Sequence, residues 1–564
     1  MTRPPDLIYA VEDAPPRAIM ALSALQHVAI MAITLIFPII LARDAKLTGD
    51  AFLDLVSLSM LGLGVATVTL SLRSQFIGSG YLCPAAYTAI YLGPSLFALQ
   101  KGGLALVFGM TVVAGLVQIA VAPMLRRLRA LLPSEIAGLV IAIVGLTLAG
   151  LGIRYSLGIV DQEQINLDYL SVSGISLTTM IVLNIWSKSY GKMFCVLIGM
   201  LVGYAASAAV GIFDLSSVLP PEGVSLFRVP HLSHVGFSFD WLLFAPFAVA
   251  ALAATLRVMG DVSNAQRLND SDWVRPKFSS LAGGVAANGI AIIFCGLVGS
   301  FGVNSYSSSI GLSGATGVTS RSVGYAIGIA FAVLAFFPYA AVVLAAMPPP
   351  VMGASLFFTA AFVLTSGLQM TTARMLDARK NVVIGFSFAA AVAADIYHNA
   401  LMAVPIVLQP IFGNSLVLGT TSAVLLNLIM RIGVRQRVSM KLEPGDINRE
   451  ALERFLSEQG ARWAARRDVM SRAIFGAVQV CEVIGEPPGG VEIQASFDEF
   501  NLDIRMRYAG VPLVIPERRP TPREIVASGD GERLLGGYLL RQSADRITCR
   551  TSGDSVEVHL HYQH

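Results

Sequence analysis

Between two long apolar segments lies a stretch of small hydroxyl residues and glycines, Asn304–Arg321, reading NSYSSSIGLSGATGVTSR. A run of this kind packs little and offers hydroxyl and backbone groups, so at membrane depth it must line protein or a water-filled cavity. The chemistry it suggests is the cradling of a small solute. Two further sites stand out against apolar surroundings. His27 interrupts the first apolar segment in LQHVAIM. An imidazole in a membrane is expensive unless partnered, so it either carries function or makes a specific hydrogen bond in the core. Arg257, in LAATLRVMGDV, would cost about 3 kcal/mol near the midplane and must meet an anion. Asp261, four residues on, shares its helix face and could be that partner. A bound planar anion is the other candidate, because a guanidinium offers donors only and prefers bidentate partners.

The elements that must position these groups are membrane spans. The 564 residues are 54% hydrophobic and 14% charged, with mean hydropathy +0.66, too apolar for an ordinary globular enzyme of this length. Net charge is only +3 and no basic run occurs, which argues against a nucleic-acid partner. Cys83, Cys195, Cys295, Cys481 and Cys549 are scattered without metal-ligand spacing and read as packing residues. Residues 1–17 lack the pattern of a signal peptide and read as a retained, soluble lead. Apolar spans long enough for about 30 Å of hydrocarbon are expected at Ala18–Leu41, Leu53–Leu72, Gly102–Met124, Ser134–Gly152, Leu170–Trp186 and Met193–Phe213. Others follow at Trp241–Met259, Leu281–Phe301, Val323–Ala346, Val351–Met370, Ile396–Phe412 and Ser415–Ile432. Two glycine-broken stretches, Phe76–Leu99 and Asn304–Arg321, read as half-helices joined to extended chain, making about fourteen segments. With that count, Arg73, Arg126, Arg127, Arg129, Lys188, Lys192, Arg374, Arg379 and Lys380 fall on one side, opposite Asp161 and Glu163. The excess of cations marks that side as cytoplasmic, and an even number of crossings puts both termini there.

From Arg431 onward the chain carries 19 Lys plus Arg and 19 Asp plus Glu, out of 40 and 37 in all. That shift marks a boundary near Arg437, followed by a soluble α+β module of a size that folds alone. Helices are expected at Asn448–Arg467 and on to about Ile484, then strands at VEIQASF, LDIRMRY, RITCR and SVEVHLHY.

Several of these residues resemble the motifs of the nucleobase-ascorbate transporters, the second nucleobase:cation symporter family. The family signature has Gln or Glu, then Asn, then Gly two residues on, a Thr after four more, and a closing VxSR. Gly311, Thr316, Val318, Ser320 and Arg321 keep it, while Ser308 and Ser309 replace its first two polar residues. Gln26 and His27 match the family's QH motif, and GSGYLCP at Gly78–Pro84 its third segment, where Tyr81 would stack on a ring. Arg257 stands where the family has the glutamate that holds the base, with Gly260 and Asp261 retained, and Asn288 stands where many members have Asp.

The resemblance covers about residues 18–432. It implies an all-α polytopic membrane protein of two inverted repeats, with core and gate domains and two half-helix segments with short strands. The domain reading is a lead at 1–17, a transporter at 18–433 and a cytoplasmic module at 438–564. The implied activity is secondary transport, not catalysis, of a xanthine- or urate-type purine or a uracil-type pyrimidine in a cell inner membrane, by a homodimer. Arg257, Ser308, Ser309, Gly311, Thr316 and Tyr81 would contact the solute. His27, Gln26, Asp261 and Asn288 would form the polar or coupling network. No cofactor is implied beyond a coupling ion, H+ or Na+, and uniport stays open because the family's carboxylates at 257 and 288 are missing. Two rival readings remain: a carrier of another small anion on the same fold, and a membrane sensor signalling through the tail. The end of the tail weakly resembles histidine-kinase-like ATPase domains, with Gly536 and Gly537 opening a helix and Gly510 in the nucleotide-contacting turn. That family's Asn-bearing helix and DxGxG aspartate are missing, so a regulatory or dimerising module with its own cytoplasmic partner is the favoured reading.

Overall fold

The computed structural model describes residues 3–563 apart from brief stretches, the longest being 126–133, 188–193, 214–226, 431–435 and 521–530. Most of the loop charges used for orientation, including Arg126, Asp161, Lys188 and Arg374, lie outside the described residues. The chain divides into two compact units, Met1–Leu428 and Ile429–His564.

The first unit is helical: α1 (Arg17–Ala32), α2 (Ile36–Asp44), α3 (Gly49–Ser71), α4 (Leu92–Val121), α5 (Ser134–Leu157), α6 (Leu167–Trp186) and α7 (Cys195–Val210). It continues with α8 (Trp241–Leu268), α9 (Phe278–Leu297), α10 (Ser307–Thr316), α11 (Arg321–Leu334), α12 (Pro349–Thr371), α13 (Ala378–Ile396) and α14 (Ser415–Met430). Among the described residues, eight helical stretches are long and apolar enough to cross a bilayer, so this is a mostly helical, multi-pass membrane protein. Local chemistry sets several helix starts. Asn166 accepts from the backbone N–H groups of Asp168 and Tyr169, and Asp240 from that of Leu242, relieving donors that have no partner inside a helix. Inside α4, Gly102 and Gly103 leave helical geometry, Gly103 at φ +72°, which splits a short half-helix from a long one.

Two extended pieces, β1 (Ala85–Tyr87) and β2 (Val303–Ser305), pair antiparallel with Ala85 opposite Ser305 and Tyr87 opposite Val303. Both are fully buried. Two strands alone cannot satisfy their backbone in an apolar medium. Neighbouring side chains complete it: Ala85 N–H donates to Thr67 Oγ1 and Tyr87 N–H to Thr34 Oγ1, both at 3.2 Å.

Helices α5 and α12 pack with almost no gap. Gly138, Gly145 and Gly152 recur every seven residues and so share a face. A Cβ on Gly145 would sit 2.6 Å from the backbone N of Leu364, and one on Gly152 2.8 Å from that of Phe357. Small residues permitting such approach are the usual means of helix association in lipid.

The expected span Ile396–Phe412 is not found. Its described residues hold only two four-residue helical turns, His398–Leu401 and Gln409–Phe412, whereas a full helix, α13, occupies the segment read as loop. Polar Arg379, Lys380, Asn381 and Asp395 near its ends masked that helix in the sequence.

The second unit holds β3 (Gln436–Leu442), α15 (Arg449–Arg462), α16 (Arg467–Ile484), β4 (Val491–Phe497), β5 (Asn501–Ala509), α17 (Gly531–Ser543), β6 (Arg546–Ser552) and β7 (Ser555–Gln563). The strands form one antiparallel sheet in the order β3-β4-β5-β7-β6. One face buries Ile493, Ile504, Met506, Val558 and Leu560 in a common core with Leu456, Ala473 and Ala477 of the helices, the alternation a one-sided sheet requires. Strand β3 was not anticipated, and Gly536 and Gly537 lie within α17 instead of opening it. There, Cβ atoms would crowd Val483 and the carbonyl of Val514, so these glycines serve close packing.

Candidate functional site

A cavity of about 710 Å³ opens in the first unit between α8, β1, β2 and the start of α10 on one side and α5 and α12 on the other. Arg257, Asp261 and Ser308 all line it.

Asp261 is buried one helical turn after Arg257 on α8. Its Oδ2 accepts from Ser305 Oγ and its Oδ1 from Ser307 Oγ, both at 2.6 Å. The Arg257 Nε stands 4.0 Å from Asp261 Oδ2, at the margin of ion pairing and beyond hydrogen-bond reach. The carboxylate is therefore held by hydroxyls, and its attraction to the guanidinium is longer-range. An arginine so placed can turn N–H donors toward a solute without stripping Asp261 of its partners.

Helix α10 brings its N-terminus to the cavity, with Ser307 and Ser308 exposed there. No side chain caps that end, and the amide dipoles of a helix start favour negative charge. His27 anchors the helix from behind. It is fully buried, with Nδ1 against the hydroxyl of Ser309 and Nε2 3.5 Å from that of Ser313. His27 is thus a hydrogen-bonded core histidine held against α10, the helix whose start borders the cavity. Gln26 is half-buried beside it.

The remaining residues expected at the site do not line the cavity. Ser309 is engaged by His27. Thr316 closes α10, donating to the carbonyls of Leu312 and Ser313. Gly311 is exposed, with open space where a Cβ would be. Asn288 donates to Gln118 Oε1 at 2.9 Å and to the Val303 carbonyl at 3.4 Å, supporting β2. Tyr81 is buried, its N–H donating to Ser79 Oγ. The aromatic residues at the cavity are Phe37, Tyr87, Tyr306 and Phe362; the Tyr87 hydroxyl donates to the Ser59 carbonyl and pairs with Ser300 Oγ, each at 2.7 Å. Tyr87 lies six residues past Tyr81 in the same segment. Asn264, Ser355, Thr359 and Gln369 also line the cavity. Asn264 on α8 and Ser355, Thr359 and Gln369 on α12 were missed because single amides and hydroxyls within apolar helices form no motif. Among the described residues no cluster of three or more His, Cys, Asp or Glu could hold a metal.

A family model described as a permease family, named for xanthine and uracil, matches residues 18–399. The chain belongs to this permease family. It is a transporter, not an enzyme. The xanthine permease XanP of Escherichia coli (strain K12) is 26% identical over 444 residues, covering 76% of this chain and 95% of that one. The nucleobase transporter PlUacP of Paenibacillus larvae subsp. larvae is 24% identical over 420 residues, 73% and 94% of the two chains. Among solved structures, SLC26A9 superposes with a TM-score of 0.50 at 12% identity, over 75% of the permease and 67% of that chain. At that identity the likeness is one of fold alone. The family match ends at residue 399, so the tail lies outside it.

Proposed function

We propose that this permease is a secondary transporter for a nucleobase-like solute, a xanthine- or urate-type purine held as an anion or an electron-rich ring. The observation that carries this reading is the Arg257 guanidinium lining a hydroxyl-rich cavity while the neighbouring carboxylate is satisfied by Ser305 and Ser307. Relatives named for xanthine and nucleobases support the solute class. Ser308 and the start of α10 would meet the solute's negative edge, and Tyr87 would offer a ring to stack on. Ser309, Gly311, Thr316 and Tyr81 would shape the site from outside the cavity, with His27, Gln26 and Asn288 fixing the half-helices.

Transport would proceed by movement of one helical group against the other around this site. The finer architecture belongs to the same proposal: about fourteen segments in two inverted repeats, a homodimer in the inner membrane, both termini cytoplasmic, and a tail that regulates or dimerises. Asp261 is the acid available for H+ coupling; with Na+ as driving ion it would stay charged.

The same guanidinium favours a second reading, a carrier for another small anion. Uptake of radiolabelled xanthine by cells expressing the protein, competed by urate, uracil, formate and chloride, separates the two. The proposal requires that purines compete and simple anions do not. Competition by formate or chloride alone would establish the second reading instead.

A further inference from the structure

The segment ahead of α1 is stitched to the far end of the solute-facing helix. Ile8 and Tyr9 donate N–H bonds to the Gly317 carbonyl at 2.9 and 3.0 Å, and Tyr9 and Val318 form an isolated parallel bridge. The Tyr9 carbonyl accepts from the N–H of Thr319 at 2.9 Å and from its hydroxyl at 3.1 Å, and the Val11 carbonyl accepts from Arg321 N–H at 3.2 Å. Leu7 and Val11 are each only 7% exposed, so the segment is seated by apolar burial as well as by hydrogen bonds. Glu12 closes the arrangement by pairing with Arg73, just beyond α3, and with Arg321 at the start of α11.

Helix α10 therefore runs between two fixed points. Its first residues line the cavity, His27 holds its middle, and its last turn ends at Gly317, in the left-handed region at φ +67°. A ten-residue helix is a rigid rod of about 15 Å, so a shift at one end is passed to the other.

We propose that residues 7–13 form a strap that sets the position of α10, and that Glu12 is its clamp, a positioning residue that never touches the solute. Releasing the strap frees the Gly317 end and thereby displaces Ser308 at the cavity. The inference goes beyond the transport reading and rests on it only through the uptake readout.

The test uses the full chain with Glu12→Gln, Glu12→Asp, or residues 2–13 removed, each with and without a reporter Ser308→Cys. Removing the strap is expected to change the rate of Ser308→Cys labelling by a small membrane-permeant thiol reagent about fivefold, at equal amounts of protein in the membrane. Glu12→Gln shifts it in the same direction, and Glu12→Asp restores it. The KM for xanthine rises in parallel while the amount of inserted protein holds. Unchanged labelling in the strap-less protein overturns the proposal, as does a change seen equally in Glu12→Asp and Glu12→Gln. If the wild type takes up no xanthine, the transport reading fails while labelling still decides the strap. If removal of residues 2–13 prevents insertion, the two Glu12 variants decide it.

Discussion

Asp261 gives each carboxylate oxygen to a serine hydroxyl, and at the residue scale this separates two roles that one helix turn might have merged. The carboxylate fixes β2 and the start of α10 through Ser305 and Ser307, while Arg257 addresses the cavity. Asp261→Asn weakens two charge-assisted bonds of about 1.5–3 kcal/mol each, so apparent solute affinity should fall about tenfold or more; transport KM measures it. His27→Ala leaves the buried Ser309 hydroxyl without its ring partner. It should cost about 1–3 kcal/mol, read as a lower unfolding temperature in detergent, with His27→Gln recovering part of it. An unchanged unfolding temperature in His27→Ala would contradict that role. That Arg257, Asp261 and Ser308 meet at one cavity and that His27 finds a hydrogen-bond partner was legible in the sequence, because a polar group in an apolar run must find a partner. That Tyr87 and not Tyr81 borders the cavity was not, since both are buried aromatic residues of one segment.

At the scale of elements, the half-helices depend on borrowed hydrogen bonds and the α5–α12 pair on glycine. Gly138 illustrates the second point: a Cβ there would collide with the backbone N and hydroxyl of Thr371. Gly150, on the same helix, has nothing within 4 Å. Gly138→Ala should therefore lower the unfolding temperature and inserted yield, whereas Gly150→Ala should be neutral or slightly stabilising, as alanine is the better helix former. Equal behaviour of the two would refute the packing account. Long uninterrupted helices and the broken Asn304–Arg321 run could be read directly from hydropathy. Helix α13 could not, because its polar ends resemble a loop. A loop of that length between elements was itself a warning against the assignment.

For the whole molecule, the two units obey different physics. In the tail, Asp503 Oδ1 accepts from His559 Nε2 at 3.0 Å and from His561 Nδ1 at 2.8 Å on the sheet face away from the helices. The bond to Asp503 raises the His561 pKa, against the opposing effect of burial. Burial pushes Asp503 upward, but the bonds from His561 and His559 outweigh it and hold its carboxyl below the usual range. A raised folded pKa means that His561 stabilises the tail fully below its unfolded value of about 6.5 and loses that contribution as pH rises through the folded value. The stability advantage of wild type over His561→Gln, on the order of 1 kcal/mol or less, should be larger at about pH 5.5 than at about pH 8.5. Urea unfolding followed through Trp463, which stacks on Phe497 in the tail core, measures it once Trp186, Trp241 and Trp273 are replaced by Phe. An advantage equal at both values would contradict the assignment. The boundary between the units was visible as a change in charge density, whereas strand β3 was overlooked although Val438, Met440 and Leu442 alternate with polar residues, because it sits at that boundary.

The central claim is that Arg257 selects an electron-rich or anionic solute in a hydroxyl-lined cavity. Binding of xanthine and urate, compared with neutral uracil, to purified wild type and Arg257→Glu tests it most directly. The account predicts that the exchange abolishes urate binding and leaves or improves that of the neutral base. An Arg257→Glu protein that still binds urate as the wild type does, and gains nothing toward uracil, would contradict it.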